Sequence, residues 1–177
     1  MKMGSLLGRT APILLTVQFL LAVAFAKPVR WEIIPGEALR NDPAYAFALA
    51  DLQNAALANG MEILPGEPGR ATQQRRILVG DAARNDQVAV VLHEQGAPLK
   101  GVSSTQGFEM ATLHTTDGTT LLIIAGGGIA GDIYGLYWVR DRIRACKTIP
   151  EPIAICCPGM TRRMGITSLY SFDTLIF

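Results

Sequence analysis

Histidine and cysteine are scarce in this sequence, which excludes several kinds of site. The 177 residues include two histidines and three cysteines. An H-E-x-x-H pattern, in which two histidines one helical turn apart hold zinc, begins at His93 but has Ala97 in its last position. Adjacent Cys156 and Cys157, with only Cys146 besides them, are too few for a zinc site, and without a second cysteine pair the sequence indicates no redox role. We therefore expect neither a metal nor another cofactor.

The chain also has little net charge. Its formal charge is +1, with 49% apolar and 18% charged residues. Removal of Lys2 and Arg9 with the N-terminus would change the charge to −1. Neither value indicates a nucleic acid or an anionic membrane as a partner. There is no internal repeat and no low-complexity tract, so the composition is that of a globular domain.

The first 26 residues have the pattern of a signal peptide. Lys2 and Arg9 form a positive start, residues 13–24 are mostly apolar, and residues 24–26 (Ala-Phe-Ala) supply a small-x-small cleavage site. We expect cleavage after Ala26 and a secreted or periplasmic protein without stable membrane association. An uncleaved N-terminal anchor is the alternative. In an exported chain three cysteines allow at most one intramolecular disulfide, and the sequence leaves its pairing open.

The remaining pattern predicts a mixed α/β domain. Residues 27–34 alternate as a strand, Asp42 and Pro43 begin a helix, and residues 77–80 are a short apolar run typical of a central strand. Asn85 or Asp86 caps a second helix. We expect a two-layer α/β (α+β) sandwich, with a mixed sheet of about four to five strands and helices mainly on one face.

Residues 107–144 predict a hairpin followed by a helix. Two apolar, β-branched segments flank a Thr-Asp-Gly turn, and after a three-glycine turn the apolar spacing becomes helical. Gly126, Gly128 and Gly131 spell G-x-G-x-x-G, as in dinucleotide sites. However, that fingerprint follows the first strand of a parallel unit, and the acid expected about 20 residues later would be Glu151, between two prolines. A structural strand-to-helix turn is the favoured interpretation, and a nucleotide-binding domain remains the less favoured one.

The same segment resembles a known family. The order Gly-Phe-Glu, strand, Thr-Asp-Gly turn, strand, glycine turn and the segment 131–137 (GDIYGLY) looks like the N-terminal α/β domain of α-glucuronidases and bacterial-type β-hexosaminidases. Residues 77–81 (ILVGD) with the helix that follows are similar to the earlier half of that domain. This resemblance implies a metalloprotease-like fold without the metal, an accessory role beside a glycoside hydrolase barrel, and polysaccharide catabolism.

The acidic residues do not form a recognisable catalytic pair. Glycoside hydrolysis needs two carboxyl groups held across the scissile bond. The candidates are scattered over a strand end, a helix cap, a helix, a strand, a turn and a helix start: Asp81, Asp86, Glu94, Glu109, Asp117 and Asp132. In the resembled enzymes the catalytic acids belong to the barrel. We therefore expect no catalytic residue in this chain and do not expect it to be an enzyme by itself.

Three aromatic residues on the last predicted helix are the candidate functional residues. Tyr134, Tyr137 and Trp138 recur at helical spacing, which favours packing of the helix against the sheet or against another domain over stacking on a sugar. The resemblance implies a catalytic barrel as the partner in docking and a polysaccharide as the partner in stacking.

These observations divide the chain into three parts. We expect a signal peptide at 1–26, the family-like domain at 27–150, and a truncated linker or barrel-entry tail at 151–177, since a barrel needs about 250 residues. The chain is then a non-catalytic accessory domain of a secreted glycoside hydrolase, from a truncated or frameshifted gene or a fragment. The alternative is a stand-alone carbohydrate-binding module. The sequence does not identify the sugar.

Overall fold

The computed structural model describes residues 28–70, 72–96, 99–149 and 155–157. The strands are β1 (Val29–Pro35), β2 (Met61–Pro65), β3 (Arg75–Val79), β4 (Phe108–His114), β5 (Thr120–Gly126) and β6 (Ile155–Cys157). The helices are α1 (Glu37–Arg40), α2 (Pro43–Leu57), α3 (Asp86–Gln95) and α4 (Ile129–Cys146). The expected signal peptide at 1–26 and, except for residues 155–157, the expected linker or barrel-entry tail at 151–177 lie outside the described residues.

The strands form one mixed sheet in the order β2-β1-β3-β5-β4-β6. Strands β2, β1, β3 and β5 pair in parallel, whereas β4 pairs antiparallel with both β5 and β6. The predicted mixed sheet and the β4–β5 hairpin are confirmed. Strand β6 is an addition, because it lies in the segment expected to be a tail and extends the sheet beyond residue 150.

The helices lie mainly on one face of the sheet, as predicted. The larger apolar cluster joins that face to α1, α2 and α4 through buried residues such as Leu39, Leu52 and Leu136. A smaller cluster on the opposite face lies under α3 and includes Val88. Strand β3 is buried on both faces, because Ile77 and Val79 belong to the larger cluster and Leu78 to the smaller. The apolar run in the sequence therefore marks the centre of the sheet.

Side-chain caps determine where helices α2 and α3 begin. The Asp42 carboxylate accepts hydrogen bonds from the backbone N–H groups of Ala44 (2.8 Å) and Tyr45 (3.2 Å), and Pro43 occupies the first helical position. Asn85 caps α3 by accepting from the Gln87 N–H at 3.1 Å. These caps satisfy amide groups that the first helical turn leaves without intrahelical partners.

Two buried glutamates hold loops against the sheet. Glu32 on β1 accepts hydrogen bonds from the backbone N–H groups of Thr72 (2.9 Å) and Gln73 (3.2 Å). Glu109 on β4 accepts from Lys100 (2.8 Å) and Gly101 (3.1 Å) in the same manner. A buried carboxylate needs such donors because burial removes its hydration. Both residues therefore have a structural role.

No helix in the described part of the chain is both long and apolar enough to cross a membrane.

Candidate functional site

The carboxyl ends of the parallel strands β1 and β3 are a candidate position for a binding site. The chain leaves β1 towards one side of the sheet and β3 towards the other, and open α/β sheets bind ligands in the crevice at such a switch point. Here the Asn85 amide lies between the two strand ends and donates to the backbone oxygens of Ile34 (3.2 Å) and Val79 (3.0 Å). A Cβ on Gly36 would lie 2.3 Å from the Arg84 backbone oxygen. The protein's own chain therefore fills this crevice.

The three-glycine turn before α4 is filled as well. Gly127 donates its N–H to the Gly107 oxygen at 3.0 Å, and Gly131 donates to the Thr105 oxygen at 3.1 Å. A Cβ on Gly131 would lie 2.1 Å from the Gly107 oxygen. The loop 102–107 thus lies where a pyrophosphate would contact a dinucleotide-binding turn. These glycines allow the loop to pack closely, which explains the G-x-G-x-x-G pattern without a nucleotide.

A buried ion pair lies beside this turn. The Asp132 side chain has no exposed surface, and one of its oxygens accepts from the Gly126 N–H at 2.7 Å. Its other oxygen accepts from the Arg84 guanidinium at 2.5 Å, and Arg84 also donates to the Gly126 carbonyl oxygen. Arg84 pairs in addition with Asp81 at 3.2 Å. The cluster joins the β3–α3 connection to the β5–α4 turn.

The geometry of the cluster favours a structural role over catalysis. Both Asp132 oxygens are engaged, so neither is directed at a substrate. Burial raises the pKa of Asp132, while the Gly126 hydrogen bond and the Arg84 charge act in the opposite direction. A glycosidase acid must reach the glycosidic oxygen, and this carboxyl group is enclosed. The sequence placed Asp132 correctly in the first turn of a helix, but nothing in it indicated Arg84, which lies 48 residues earlier.

The other candidate acids lie apart from this cluster. Asp86 and Glu94 are exposed on α3, Glu109 is buried beneath the loop at 99–101, and Asp117 occupies the β4–β5 turn. The structure therefore brings together Asp81 and Asp132, with Arg84 between them.

The predicted aromatic residues on α4 differ in exposure. Tyr134 is 40% exposed, Tyr137 is partly buried beneath the Arg140 guanidinium (4.6 Å from the ring centre), and Trp138 is 7% exposed. Arg142 lies over the Trp138 ring at 4.9 Å. The docking or stacking role stays a prediction, and of the three residues Tyr134 has the most surface available to a partner.

An ion-pair network connects α4 to α2 on the outer surface. Asp51 on α2 contacts Arg140 at 2.6 Å and Arg144 at 2.7 Å. Arg140 also contacts Asp141 at 2.7 Å. Because the charges are satisfied between the helices, the network fixes the relative positions of α2 and α4.

The amino ends of β1, β3 and β5 border an open depression of about 630 Å³. Its lining is part apolar, with Pro28 and Val29, and part polar, with Thr72, Gln73, Gln74 and Arg75. The backbone of this segment is held by the buried Glu32 carboxylate. The depression therefore presents hydrogen-bonding groups on a fixed backbone.

Within the described ranges, no three histidine, cysteine, aspartate or glutamate side chains lie close enough together to hold a metal ion. His93 is exposed on α3, and His114 lies on β4 with its Nδ1 atom 3.3 Å from the Thr120 hydroxyl. Cys146 is an exposed free thiol at the end of α4.

Comparison with known proteins gives a distant structural likeness. No family model matches this sequence, and no curated protein matches it. Among solved structures, the chain is similar to a GH138 enzyme targeting pectin rhamnogalacturonan II, with a TM-score of 0.42 and 16% sequence identity. The match covers 72% of this chain and 15% of that enzyme. A distant structural neighbour is therefore a glycoside hydrolase.

Proposed function

We propose that this chain is a non-catalytic accessory domain of a secreted, polysaccharide-degrading glycoside hydrolase, in which it supports a catalytic barrel. The observation that carries the proposal is the way its acids are used. Asp132 is enclosed by Arg84 and the Gly126 N–H, and Glu32 and Glu109 each hold a loop. The three buried carboxylates of the described residues are thus engaged in the fold.

The partner in this proposal is a catalytic barrel, and the surface that contacts it lies on α4. Tyr134 is exposed beside the partly buried Tyr137, in the segment 131–137 whose sequence resembles α-glucuronidases and β-hexosaminidases. An exposed tyrosine on a helix fixed by Asp51 and Arg140 can bury apolar ring surface and still hydrogen-bond, as interface tyrosines do.

Two measurements test the proposal. The purified chain is assayed on aryl glycosides and on xylan, with no turnover expected. The codons that follow the codon for Phe177 are read in all three frames for a barrel, which is then co-expressed and captured with this chain. We expect Tyr134→Ser to weaken capture, while Val90→Ser, an exposed position on α3 across the sheet, leaves it unchanged. Turnover by the chain alone, or capture that Tyr134→Ser does not weaken, would contradict the proposal.

The second candidate is a stand-alone carbohydrate-binding module, which is favoured by the polar side chains in the depression at the amino ends of the strands. Amide and guanidinium groups of Gln73, Gln74 and Arg75 are suited to hydroxyl and carboxylate groups of a glycan. Trp31 and Trp138 are 3% and 7% exposed, so stacking on a flat indole face is not part of this candidate. Titration with xylan and chitin oligosaccharides tests it, with Arg75→Ser expected to reduce affinity and Val90→Ser to leave it unchanged.

A further inference from the structure

Helix α2 is apolar over most of its circumference. Its sequence, PAYAFALADLQNAAL, contains one charged residue, Asp51, which pairs sideways with Arg140 on α4. The Gln53 side chain turns towards the sheet and donates to the Ile63 carbonyl oxygen at 2.9 Å. Asn54 is the remaining amide residue and is exposed. A helix that is apolar on all sides is typically buried on all sides.

The outer surface of α2 is nevertheless exposed in this chain. Phe47 is 68% exposed and Leu57 is 72% exposed. The exposed residues that continue this surface form a line at four-residue steps: Ala46, Ala50, Asn54 and Ala58. We call these six residues the α2 stripe. Single exposed apolar residues are ordinary, but two large ones on a ridge of small residues indicate a surface that packs against another helix.

The spacing of the α2 stripe makes it complementary to itself. The positions form three pairs centred on residue 52, since 46 and 58, 47 and 57, and 50 and 54 are each equidistant from it. At 100° per residue, Phe47 and Leu57 project on opposite sides of the small ridge. A second α2 rotated by a two-fold axis at residue 52 would therefore set each Phe47 against the other copy's Asn54 and Ala58. Each Leu57 would meet the other copy's Ala46 and Ala50.

The charges around the stripe are compatible with such a contact. An isologous interface brings a charge near its two-fold axis close to the same charge of the other copy, so charges of one sign at the centre of the stripe would repel each other. The α2 stripe carries no charge, and the bordering Asp51 is already paired with Arg140 and Arg144 in its own chain. A second copy thus satisfies both the shape and the charge of this surface.

We propose that the α2 stripe is a homodimer interface, in which helix α2 packs antiparallel against α2 of a second copy of this chain. This inference is independent of the accessory role, because it concerns a different helix face and a different partner. In the proposed dimer the two Ala50 side chains lie on the same side of the ridge, about 6 Å apart along the helix axis.

Sedimentation of the purified full chain over micromolar to millimolar concentrations tests the proposal, with three variants. We expect the wild-type chain to reach twice the monomer mass, and Ala50→Glu and Ala50→Lys each to stay at the monomer mass. A mixture of the Glu and Lys variants is expected to regain the dimer mass, because opposite charges then meet at the axis. Val90→Glu, which places the same charge at an exposed position on α3, is the matched control and is expected to dimerise like the wild type.

Circular dichroism of each variant separates loss of association from loss of folding, and the regained dimer in the mixture cannot come from unfolded chains. A wild-type chain that stays monomeric throughout would overturn the proposal. So would a dimer that Ala50→Glu does not weaken, since another surface would then carry it. A mixture that fails to associate would refute the antiparallel register, and a monomer that binds only a catalytic barrel through the stripe would assign the stripe to that barrel.

Discussion

The buried Asp132–Arg84 pair gives the sharpest prediction about stability. Replacement of Asp132 by asparagine keeps an oxygen that can accept from the Gly126 N–H, but it removes the charge and places amide hydrogens against the Arg84 guanidinium. Hydrogen bonds to charged groups contribute about 1.5–3 kcal/mol, and leaving one member of a buried pair alone costs about 3–5 kcal/mol.

The expected loss lies in the lower of these two ranges. The Arg84 side chain is 22% exposed and keeps Asp81 and the Gly126 carbonyl oxygen as partners, so its charge is not stranded. We therefore expect Asp132→Asn to lower the free energy of unfolding by about 2–3 kcal/mol. Urea unfolding followed by circular dichroism measures this change, provided that the slope with denaturant is unchanged.

A matched control isolates the buried pair. Asp86 is also in the first turn of a helix but is exposed, so Asp86→Asn removes only the favourable contact with the helix dipole, about 0.3–1 kcal/mol. A double-mutant cycle with Arg84→Met then gives the coupling energy between the two side chains. If Asp132→Asn lowers the free energy of unfolding no more than Asp86→Asn does, or if the coupling energy is near zero, the buried ion pair does not stabilise the fold and this interpretation is wrong.

Three further substitutions test other parts of the fold. Gly131→Ala sets a methyl group against the Gly107 oxygen, so we expect a loss of about 1–3 kcal/mol despite the better helix propensity of alanine; unchanged thermal stability would contradict the packing account. Tyr45→Phe removes a buried hydroxyl without a hydrogen-bond partner in the described part of the chain, and we expect a gain of about 1 kcal/mol by urea unfolding. Burial also raises the pKa of Tyr45, so the wild type should lose stability above about pH 10, where tyrosine ionises in the unfolded chain, and the variant should lack this loss. Hydrogen bonds from Thr115 and Thr119 lower the pKa of Asp117 in the folded chain. The ionised Asp117 therefore stabilises the fold above the pKa of the unfolded chain, and this stabilisation is lost as the pH falls through the pKa of the folded chain. The stability difference between wild type and Asp117→Asn should therefore shrink below about pH 4, and a constant difference would refute this linkage.

Local patterns in the sequence were sufficient to predict most of the elements. The apolar run around Leu78 identified the central strand, and Asp42 with Pro43 identified the start of α2, because burial on both faces and helix capping act over a few residues. The sequence left the cap of α3 open between Asn85 and Asp86, and the structure assigns it to Asn85. The short α1 and the edge strand β6 were missed, since elements of three or four residues have little periodicity.

The candidate site was harder to predict, because its contacts connect distant parts of the chain. Arg84 and Asp132 have ordinary local explanations when they are considered separately, and only the topology brings the guanidinium to the carboxylate. Glu32 likewise resembles the outward residue of an alternating strand, although its carboxylate is buried under the loop that contains Thr72. Local patterns also did not predict which aromatic side chains are exposed. Helical spacing places Trp138 and Tyr134 in one group, but the structure buries Trp138 and exposes Tyr134.

The parallel pairing of β3 also constrains how the domain folds. Its two neighbours in the sheet are β1, which precedes it, and β5, which begins 41 residues after β3 ends (120 − 79). Contacts between distant segments form slowly, because the loop between them must be closed before any pairing stabilises it. A nascent chain that has not yet emerged as far as β5 therefore exposes one edge of a strand that the complete fold buries on both faces. Completion of the hairpin, rather than formation of the early helices, is the step that closes this edge.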